Sequence, residues 1–393
     1  MISLEFPPIA LRFGGGGISS VCYGLANSLS KKGIHTTVFS GTNGKPKVEK
    51  LSEFLDVIRL PCFGLPPSPV WFQLQNFRVV LKLLKSYTVV HGVNPEASAI
   101  YVRYKKELKR PVVTTIHAVP LLEVKKFVKS PTHWTCRDFA YHILEYPLHD
   151  FLVRSCLASS DHIVACSYTT LNALRNAYNN LVMNNVSVIC NGINFDEIEN
   201  ANIDCENATN QSSFSIVFAG RLFWVKGVMF LLRAFQIVRR DFADLDLKIF
   251  GKGPLEQRIK KFVSHAGLKN RVHVRGYVPH EDLITEVKKA DIVVVPSIIE
   301  AQPMFMLEAM ACKKPVIAFD LPFAREIIAD MHNGLLAKVY DVKDLSNKIL
   351  LLLSDKKLRF ELGRNAYKHV RRKHDWDLQA EKYLEIYQNV ANS

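Results

Sequence analysis

Two glutamates flank a proline late in the chain, at a place where acidic side chains could bind hydroxyl groups. Glu300 and Glu308 lie in the stretch EAQPMFMLEAMA, shortly after the apolar run 292–296. Proline suits the first turn of a helix, because its fixed φ angle fits there and its missing N–H group is not needed. The spacing therefore predicts a strand, a loop that carries Glu300, and a helix that begins near Pro303 and contains Glu308.

The start of this predicted helix is itself a candidate binding site. The first N–H groups of a helix have no carbonyl partners within it, so they attract anions. Here they would be the amides of Met304 and Phe305, which follow Pro303. Glu308 could then accept hydrogen bonds from a ribose diol, and Glu300 from the hydroxyls of a second sugar. This arrangement favours a nucleotide-sugar site over the acid and base pair of a glycoside hydrolase.

Two cations are spaced to bind the phosphates of the same ligand. Arg221 follows the predicted strand 214–219, and Lys226 precedes the next helical stretch. A guanidinium and an ammonium at these positions can hold a diphosphate and neutralise the charge that grows as it leaves. The alternative interpretation is a pair of solvent-exposed charges without a ligand.

Three weaker signals accompany these residues. The glycine run Gly14–Gly17 opens the first long helix, where a bare backbone can approach a phosphate, although the spacing G-x-G-x-x-G is absent. His117 follows the predicted strand 112–116 and could hydrogen-bond a sugar hydroxyl or an acceptor. Gly253, in the turn 251–254, would border a base pocket. The alternatives are a flexible turn, a structural histidine and an ordinary turn at a strand end.

Strand-like and helical segments alternate through both halves of the chain, which is typical of α/β domains with parallel sheets. The polar stretch 198–213 predicts a linker. We therefore predict two Rossmann-like domains, residues 1–197 and 214–375, with a ligand cleft between them and a last helix in 376–393. The predicted strands are 2–6, 36–40, 89–92, 112–116, 162–166, 186–190, 214–219, 247–250, 272–275, 292–296, 316–319 and 335–336, and the predicted helices are 18–32, 138–159, 227–240, 283–290, 344–353, 357–373 and 378–390.

The composition excludes several classes of protein. The 393 residues are 48% hydrophobic and 22% charged, as in ordinary globular proteins, and no apolar run approaches the roughly 20 residues of a membrane span. Glu5 and Pro7-Pro8 interrupt any apolar core of a signal peptide. The eight cysteines are scattered without a C-x-x-C pair, which favours reduced thiols over a disulfide framework or a zinc site. We therefore expect a cytoplasmic protein.

Most of the positive charge lies in the first half of the chain. The net charge is +14, and residues 1–195 contain 21 lysines and arginines against 11 acids, a net of +10. Clusters at 103–110 and 125–129 contribute to this excess. Such a surface suits a lipid leaflet, a lipid phosphate or nucleic acid, and the alternative is a basic face without a partner. Because no nucleic-acid-binding motif is present, we expect peripheral contact with the inner face of the cell membrane and no nucleic acid partner.

Together these pieces resemble the retaining glycosyltransferases of family 4, which share the two-domain GT-B fold. The resemblance covers essentially the whole chain, and its specific element is the pair of glutamates with the Arg/Lys partner. The matching pieces are Glu5-Phe6-Pro7-Pro8 with the glycine run, Ile189–Asn194, Gly220-Arg221, Lys226-Gly227, Gly251–Pro254, Ala290-Asp291, Pro296-Ser297, Glu300–Ala311, Pro315-Val316, Asn333–Leu336 and Trp376.

The resemblance implies a role for each candidate in the second domain. Arg221 and Lys226 would grip the donor diphosphate, Glu308 would bind the ribose, and Glu300 would orient the transferred sugar. Transfer would be retaining, with the acceptor hydroxyl attacking from the face that the diphosphate leaves. The basic pair and the helix amides would replace a metal ion, so no metal or other cofactor is implied beside a UDP- or GDP-linked donor substrate.

The resemblance extends to the first domain and to the acceptor. His117 would lie near the donor sugar, and Gly16 and Gly17 near the phosphate and the acceptor. The helix after Trp376 would pack back on the first domain, as in GT-B chains. A hexose-type sugar and a lipid-linked or glycan acceptor are expected, and a soluble sugar phosphate would also suit a basic pocket. Donor choice is expected to depend on Ala301–Pro303, where the chain departs from the usual Pro-Phe-Gly.

Two other functions stay open at this point. A nucleotide-sugar epimerase would use the same fold and donor without an acceptor. A basic nucleic-acid-binding protein would show no response to sugar nucleotides.

Overall fold

The computed structural model describes residues 1–7, 17–62, 68–119, 146–181, 185–201 and 213–393. The chain forms two compact units, and both are α/β with mainly parallel sheets, which confirms the predicted fold class. Unit 1 comprises Met1–Gly192 and Trp376–Ser393, and unit 2 comprises Ile193–Asp375. The change between units thus comes before the predicted linker, whose first residues lie in a helix. Residues 202–212 of that linker are outside the described residues.

In the described part of unit 1, seven strands form two groups. The strands are β1 (Thr36–Thr42), β2 (Lys47–Ser52), β3 (Leu55–Pro61), β4 (Val90–Gly92), β5 (Val112–Ile116), β6 (His162–Ala165) and β7 (Val186–Val188). One group has the order β1-β3-β2, with β2 antiparallel, and the other has the parallel order β4-β5-β6-β7. Ile2 bridges to Phe39 of β1 and to Gly92 of β4, so the predicted strand 2–6 is reduced to a bridge that joins the two groups.

Seven helices of unit 1 lie in the described residues. They are α1 (Gly17–Lys31), α2 (Ser68–Leu84), α3 (Pro95–Arg103), α4 (Lys105–Leu108), α5 (Tyr146–Ser159), α6 (Tyr168–Tyr178) and the final helix α15 (Trp376–Asn392). The predicted helix 18–32 is confirmed as α1, and the predicted helix 138–159 is described only in its second part, as α5. The pattern missed α2, α3, α4 and α6 altogether.

The final helix α15 is fastened to unit 1 by buried polar contacts. His91 hydrogen-bonds Thr115 Oγ1 through Nε2 at 2.8 Å and the hydroxyl of Tyr387 through Nδ1 at 2.6 Å. Tyr383 adds a 3.0 Å hydrogen bond to Thr115. Burial lowers the pKa of His91 well below its usual value, so the ring is neutral and serves this network. Trp376, at the start of α15, packs directly against Gly24 of α1.

Unit 2 contains a six-stranded parallel sheet with the order β10-β9-β8-β11-β12-β13. The strands are β8 (Phe214–Ala219), β9 (Leu245–Phe250), β10 (Val272–Gly276), β11 (Ile292–Val295), β12 (Val316–Phe319) and β13 (Leu335–Ala337). The helices are α7 (Phe195–Asn200), α8 (Val228–Val238), α9 (Glu256–His265), α10 (His280–Lys289), α11 (Met304–Ala311), α12 (Pro322–Arg325), α13 (Val342–Ser354) and α14 (Lys356–Lys373), with a short 3₁₀ turn at Trp224–Lys226. This strand order is that of the Rossmann fold.

The strands and helices of unit 2 have clear hydrophobic patterns, which made them easier to predict from the sequence. The central strand β11 is an unbroken run of buried apolar residues, as expected for a strand covered on both faces. Helix α10 combines buried Ile284 and Val287 with exposed Glu281 and Asp282 and with half-buried lysines. Among the described residues, no helix combines the length and the apolar character that crossing a membrane requires.

Candidate functional site

The strand order of unit 2 reverses at the centre of its sheet, between β8 and β11. From β8 the chain continues to β9 and β10 on one side, whereas β11 pairs with β8 on the other side. At such a switch point the connecting segments leave the carboxyl ends of the two strands in opposite directions, which opens a crevice for a ligand. The segments that follow β8 and β11 carry Arg221, Lys226 and Glu300, three of the candidates from the sequence.

These two segments are fastened to each other through the backbone. The amide of Ile298, after β11, donates to the carbonyl of Val225 in the 3₁₀ turn at 2.7 Å. Gly227 ends the turn with a φ of +69° and lies so close to Pro296 that a Cβ would be 1.8 Å from the Pro296 carbonyl oxygen. Only glycine fits this position, because it has no Cβ and accepts a positive φ. The turn and the loop after β11 are therefore held in fixed register.

The register brings Lys226 and Glu300 into an ion pair. The ammonium Nζ of Lys226 donates to Oε1 of Glu300, and the two side chains are only 20% and 13% exposed. The stem of Lys226 also lies beside Gly220, at 3.8 Å from where a Cβ would be. The structure thus brings together two residues that are 74 positions apart and leaves them partly open to a ligand that could compete for the ammonium.

The helix that begins after Pro303 is α11, as predicted. Pro303 is its N-cap residue, and its carbonyl accepts from the amides of Met306 at 3.1 Å and Leu307 at 3.4 Å. The amides of Met304 and Phe305 precede these two, so they have no carbonyl partner within the helix. No side chain caps this start. The start of α11 is therefore suited to an anion, while the partly buried Met304 and Phe305 side chains pack against the core of unit 2.

Glu308 has a partner that the sequence did not indicate. It is 7% exposed within α11, and its Oε1 lies 3.1 Å from Nε2 of His280, the first residue of α10. Burial alone would lower the pKa of His280, but the hydrogen bond to Glu308 and its charge, with that of Glu197, raise it above 6.5. His280 lies between the predicted strand 272–275 and the predicted helix 283–290, and nothing in that position marks it as a partner of Glu308.

The contact between His280 and Glu308 predicts a pH-dependent stability. Because the folded pKa is raised, the stabilising effect is complete below pH 6.5 and is lost as the pH rises through the folded pKa. We expect His280→Gln to lower the melting temperature most below pH 6.5 and progressively less above it. The effect should correspond to less than about 1 kcal/mol, since the His280 side chain is 45% exposed and solvent screens its charge.

Differential scanning calorimetry between about pH 5.5 and about pH 8 measures this difference. His265→Gln is the matched control, because His265 is an exposed histidine that hydrogen-bonds the neutral carbonyl of Lys261. A destabilisation by His280→Gln that is the same at every pH would show that the imidazole charge contributes nothing.

Arg221 and Gly253 lie at the same edge of the sheet. Arg221 follows β8 by two residues, is exposed, and has its guanidinium 5.5 Å from the centre of the Phe223 ring. Gly253 follows β9 and packs on the backbone of Leu222, where a Cβ would be 2.6 Å from the carbonyl oxygen. The hydrogen bond from Leu222 to the Lys252 carbonyl, 2.9 Å, joins the two segments. Gly253 therefore supports the segment that presents Arg221.

The remaining sequence candidates, His117, Gly16 and Gly17, belong to the first part of the chain. His117 follows β5, and its buried ring nitrogen Nε2 has no hydrogen-bond partner among the described residues. Burial lowers the pKa of His117 to about 4, against the charge of Glu96 and a hydrogen bond to the Val93 backbone. The ring is thus neutral at pH 7 and has one nitrogen available for a ligand. Gly17 is the first residue of α1, and Gly16 lies outside the described residues.

A metal centre requires several His, Cys, Asp or Glu side chains close together. The described residues contain no group of three or more His, Cys, Asp or Glu side chains arranged to hold a metal ion. The described cysteines are free thiols.

Two family profiles match consecutive parts of the chain. Residues 15–197 match Glycosyltransferase Family 4, and residues 200–369 match Glycosyl transferases group 1. The second match contains the segments with Arg221, Lys226, Glu300 and Glu308, and the first contains His117.

Individual glycosyltransferases and solved structures are also similar to this chain along nearly its whole length. An uncharacterized glycosyltransferase of Methanocaldococcus jannaschii, MJ1607, is 26% identical over 98% of this chain and 97% of its own length. Among solved structures, sucrose-phosphate synthase from Thermosynechococcus elongatus superposes with a TM-score of 0.81, at 20% identity, over 100% of this chain and 98% of that one. HepE of Anabaena, in complex with UDP-glucose, has a TM-score of 0.72 at 17% identity, over 99% and 98%.

The structural likeness supports the predicted fold, since the neighbours are GT-B glycosyltransferases matched along their full length. The two profiles and the full-length relative support the predicted resemblance and the enzyme class. The chain belongs to the family 4 glycosyltransferases of the GT-B fold, with a group 1 glycosyltransferase domain as its second half.

Proposed function

We propose that this glycosyltransferase is a retaining, metal-independent enzyme that moves a hexose-type sugar from a nucleotide-diphosphate donor to a hydroxyl of a lipid-linked or membrane glycan. The observation that carries the proposal is the Lys226–Glu300 ion pair beside the switch point, in the same unit as the uncapped start of α11. It combines a cation for phosphate with an acid for sugar hydroxyls. The UDP-glucose bound by HepE supports a UDP-linked donor.

The donor diphosphate would bind to cations and amides. Arg221 is exposed and can make paired hydrogen bonds to phosphate oxygens, and Lys226 can turn from Glu300 towards the phosphate. The amides of Met304 and Phe305 would complete the anion site at the start of α11. These groups neutralise the charge that develops on the leaving diphosphate, which is the task that a metal ion performs in other enzymes.

The sugar parts of the donor would bind to the two acids. Glu308, oriented by His280, would accept hydrogen bonds from the ribose diol, with the turn at Gly253 beside the base. Glu300 would accept from the hydroxyls of the transferred sugar, and His117 would keep the role that the resemblance implies, as a neutral hydrogen-bonding group near that sugar. Gly16 and Gly17 would lie near the phosphate and the acceptor.

The transfer itself would proceed on one face of the sugar. The acceptor oxygen forms its bond to the anomeric carbon from the side on which the bond to the diphosphate oxygen breaks. The acceptor proton passes to the departing phosphate oxygen, and Glu300 orients the sugar without forming a covalent adduct. An anomeric configuration in the product that is inverted relative to the donor, read by NMR, would contradict this course.

The acceptor class and the location follow from charge. The net charge of +10 over residues 1–195 favours an anionic acceptor, such as the phosphate of a lipid carrier, and a position at the inner face of the membrane. We propose that the enzyme works in the cytoplasm and touches that membrane peripherally.

A thermal-shift screen of UDP-glucose, UDP-N-acetylglucosamine and GDP-mannose tests the donor site. A ligand at about 100 times its Kd should stabilise the wild type by about 2.7 kcal/mol. We expect this stabilisation to be lost in Arg221→Ala and in Glu308→Ala, because the first removes a phosphate contact and the second the ribose contact. It should persist in EDTA.

Arg258→Ala is the control for these variants, since Arg258 is an exposed arginine on α9. Its ligand-induced shift should equal that of the wild type. If none of the three sugar nucleotides shifts the wild type, or if both site variants respond normally, the proposed donor site is wrong.

A further inference from the structure

One side of helix α2 in unit 1 is apolar although it is exposed. Trp71, Leu74 and Val79 are 43%, 54% and 55% exposed. The opposite side of the helix supplies buried residues to the core, among them Phe72 and Val80. Single exposed apolar residues are ordinary, but several on one helix face mark a surface that is covered by something else.

The same side of α2 is strongly basic. Trp71, Leu74 and Arg78 are spaced by three and four residues, so they lie on one side of the helix, and exposed Lys82 and Lys85 continue it. No ion pair links Arg78, Lys82 or Lys85 to an acid in the described ranges. These cations are therefore available to an external anion.

The segment 103–110 extends this surface beside α2. The guanidinium of Arg110 donates to the carbonyl of Lys85 at 2.9 Å and 3.0 Å, and the ring of Tyr104 lies 4.8 Å from that of Phe77. Both contacts place 103–110 directly against the helix. Lys106, Lys109 and Arg110 are exposed there, with Glu107 the one acid between them. We call the exposed side of α2 together with 103–110 the basic face.

The basic face lies in a segment with a large excess of positive charge. Residues 68–110 contain eight lysines and arginines and two glutamates, a net of +6. One of these glutamates, Glu96, accepts a 3.0 Å hydrogen bond from Asn94, and of the lysines, Lys105 pairs with Asp161. At the rim, the guanidinium of Arg103 lies 5.9 Å from the ring of Phe151, which is also exposed.

We propose that the basic face docks the enzyme on an anionic lipid bilayer. Trp71 and Leu74 would enter the boundary between headgroups and acyl chains, and the lysines and arginines around them would lie over the phosphates. Bulky apolar side chains beside long cations on one helix are what an interfacial helix presents to such a bilayer. Nucleic acid would satisfy the charge, but it would leave Leu74 and Val79 without an apolar partner.

The docking proposal deepens the proposed function, because a membrane acceptor gives the enzyme a reason to be at a bilayer. It rests on that function only for this reason, and the surface itself can be tested without any sugar nucleotide. The tests therefore separate a failure of docking from a failure of the donor site.

The first test is sedimentation of the full chain with vesicles. We expect binding to vesicles that contain about 30% phosphatidylserine in phosphatidylcholine, and much weaker binding to phosphatidylcholine alone. The double variant Lys82→Gln with Lys106→Gln should bind the anionic vesicles about 25-fold more weakly, at about fivefold for each charge. The matched control, Lys261→Gln with Lys269→Gln, changes two exposed lysines of unit 2 by the same charge and should bind like the wild type.

The second test asks whether the apolar part enters the bilayer. Tryptophan emission of the wild type should be quenched by vesicles with brominated acyl chains, and Trp71→Phe should remove most of this quenching. The same variants must keep the wild-type melting temperature and the wild-type thermal shift with a sugar nucleotide. A variant that loses both the wild-type melting temperature and the thermal shift is misfolded. Trp71→Phe is a conservative change at an exposed position, so we expect it to fold and to report on insertion alone.

Several results would overturn the docking proposal. Equal binding to charged and uncharged vesicles would show that the cations have no role, and unchanged binding of the double lysine variant would place docking elsewhere. Retention of a single-stranded DNA probe by the basic face, without vesicle binding, would assign it to nucleic acid. If vesicles bind as expected while no sugar nucleotide does, the docking surface stands and the proposed donor site fails.

Discussion

Lys226→Ala should lower the turnover number by roughly 10²- to 10³-fold at saturating donor, the usual loss for one preorganised electrostatic contact to a leaving group. The ammonium of Lys226 lies beside the switch point, from where it can turn from Glu300 to the diphosphate. Its removal also leaves the 13% exposed Glu300 carboxylate without this cation, next to the expected phosphates. Steady-state kinetics with the donor identified by thermal shift measures the effect.

Two further variants make this result specific. Lys226→Arg keeps the charge and should recover part of the lost rate, whereas Lys261→Ala, on an exposed lysine of α9, should change nothing. Unfolding curves for all three variants show whether the fold is retained. A turnover number for Lys226→Ala within threefold of the wild type, roughly 0.7 kcal/mol, would remove Lys226 from the reaction.

Gly227→Ala should be the most destabilising single methyl group that can be added near the site. The new Cβ would lie 1.8 Å from the carbonyl oxygen of Pro296, on a residue whose φ is +69°. Relief of this clash requires the 3₁₀ turn to move away from the loop after β11, which breaks the hydrogen bond from Ile298 to Val225. We expect a loss above about 3 kcal/mol, in the range that marks a specific structural fault.

Gly267→Ala is an unusually close control for this variant. Gly267 has nearly the same φ, +66°, but nothing lies within 4 Å of the position that a Cβ would take. Its replacement should cost only the strain of a left-handed residue, about 1 kcal/mol. Urea unfolding midpoints of the two variants separate strain from clash. If the two substitutions lower the free energy of unfolding equally, the contact with Pro296 is not what fixes the turn.

The sequence was most informative where structure depends on neighbours along the chain. The buried strand β11 is a continuous apolar run, and β8 is apolar except for Ser215. Pro303 marks the start of α11 because proline fits a helix start. The edge strand β2 was missed, since its six residues, KVEKLS, are almost all exposed and show no apolar alternation. A polar edge strand has the composition of a loop.

What could not be predicted depends on contacts between distant segments. His280 and Glu308 are 28 residues apart and meet because α10 and α11 lie side by side. The pairing of Lys226 with Glu300 likewise requires the switch point, which is a property of strand order. The spacing of residues within one segment contains no information about which other segment that segment will contact. Pairs of residues from different segments therefore could not be predicted.

The division of the chain into Met1–Gly192, Ile193–Asp375 and Trp376–Ser393 has a consequence for biosynthesis. Unit 2 is one continuous segment whose first and last residues, Ile193 and Asp375, form a bridge, so it can close on itself as soon as it leaves the ribosome. Unit 1 lacks α15 until the last residues are made, and until then His91 and Gly24 lack their partners Tyr387 and Trp376. The half that is translated first is therefore completed last.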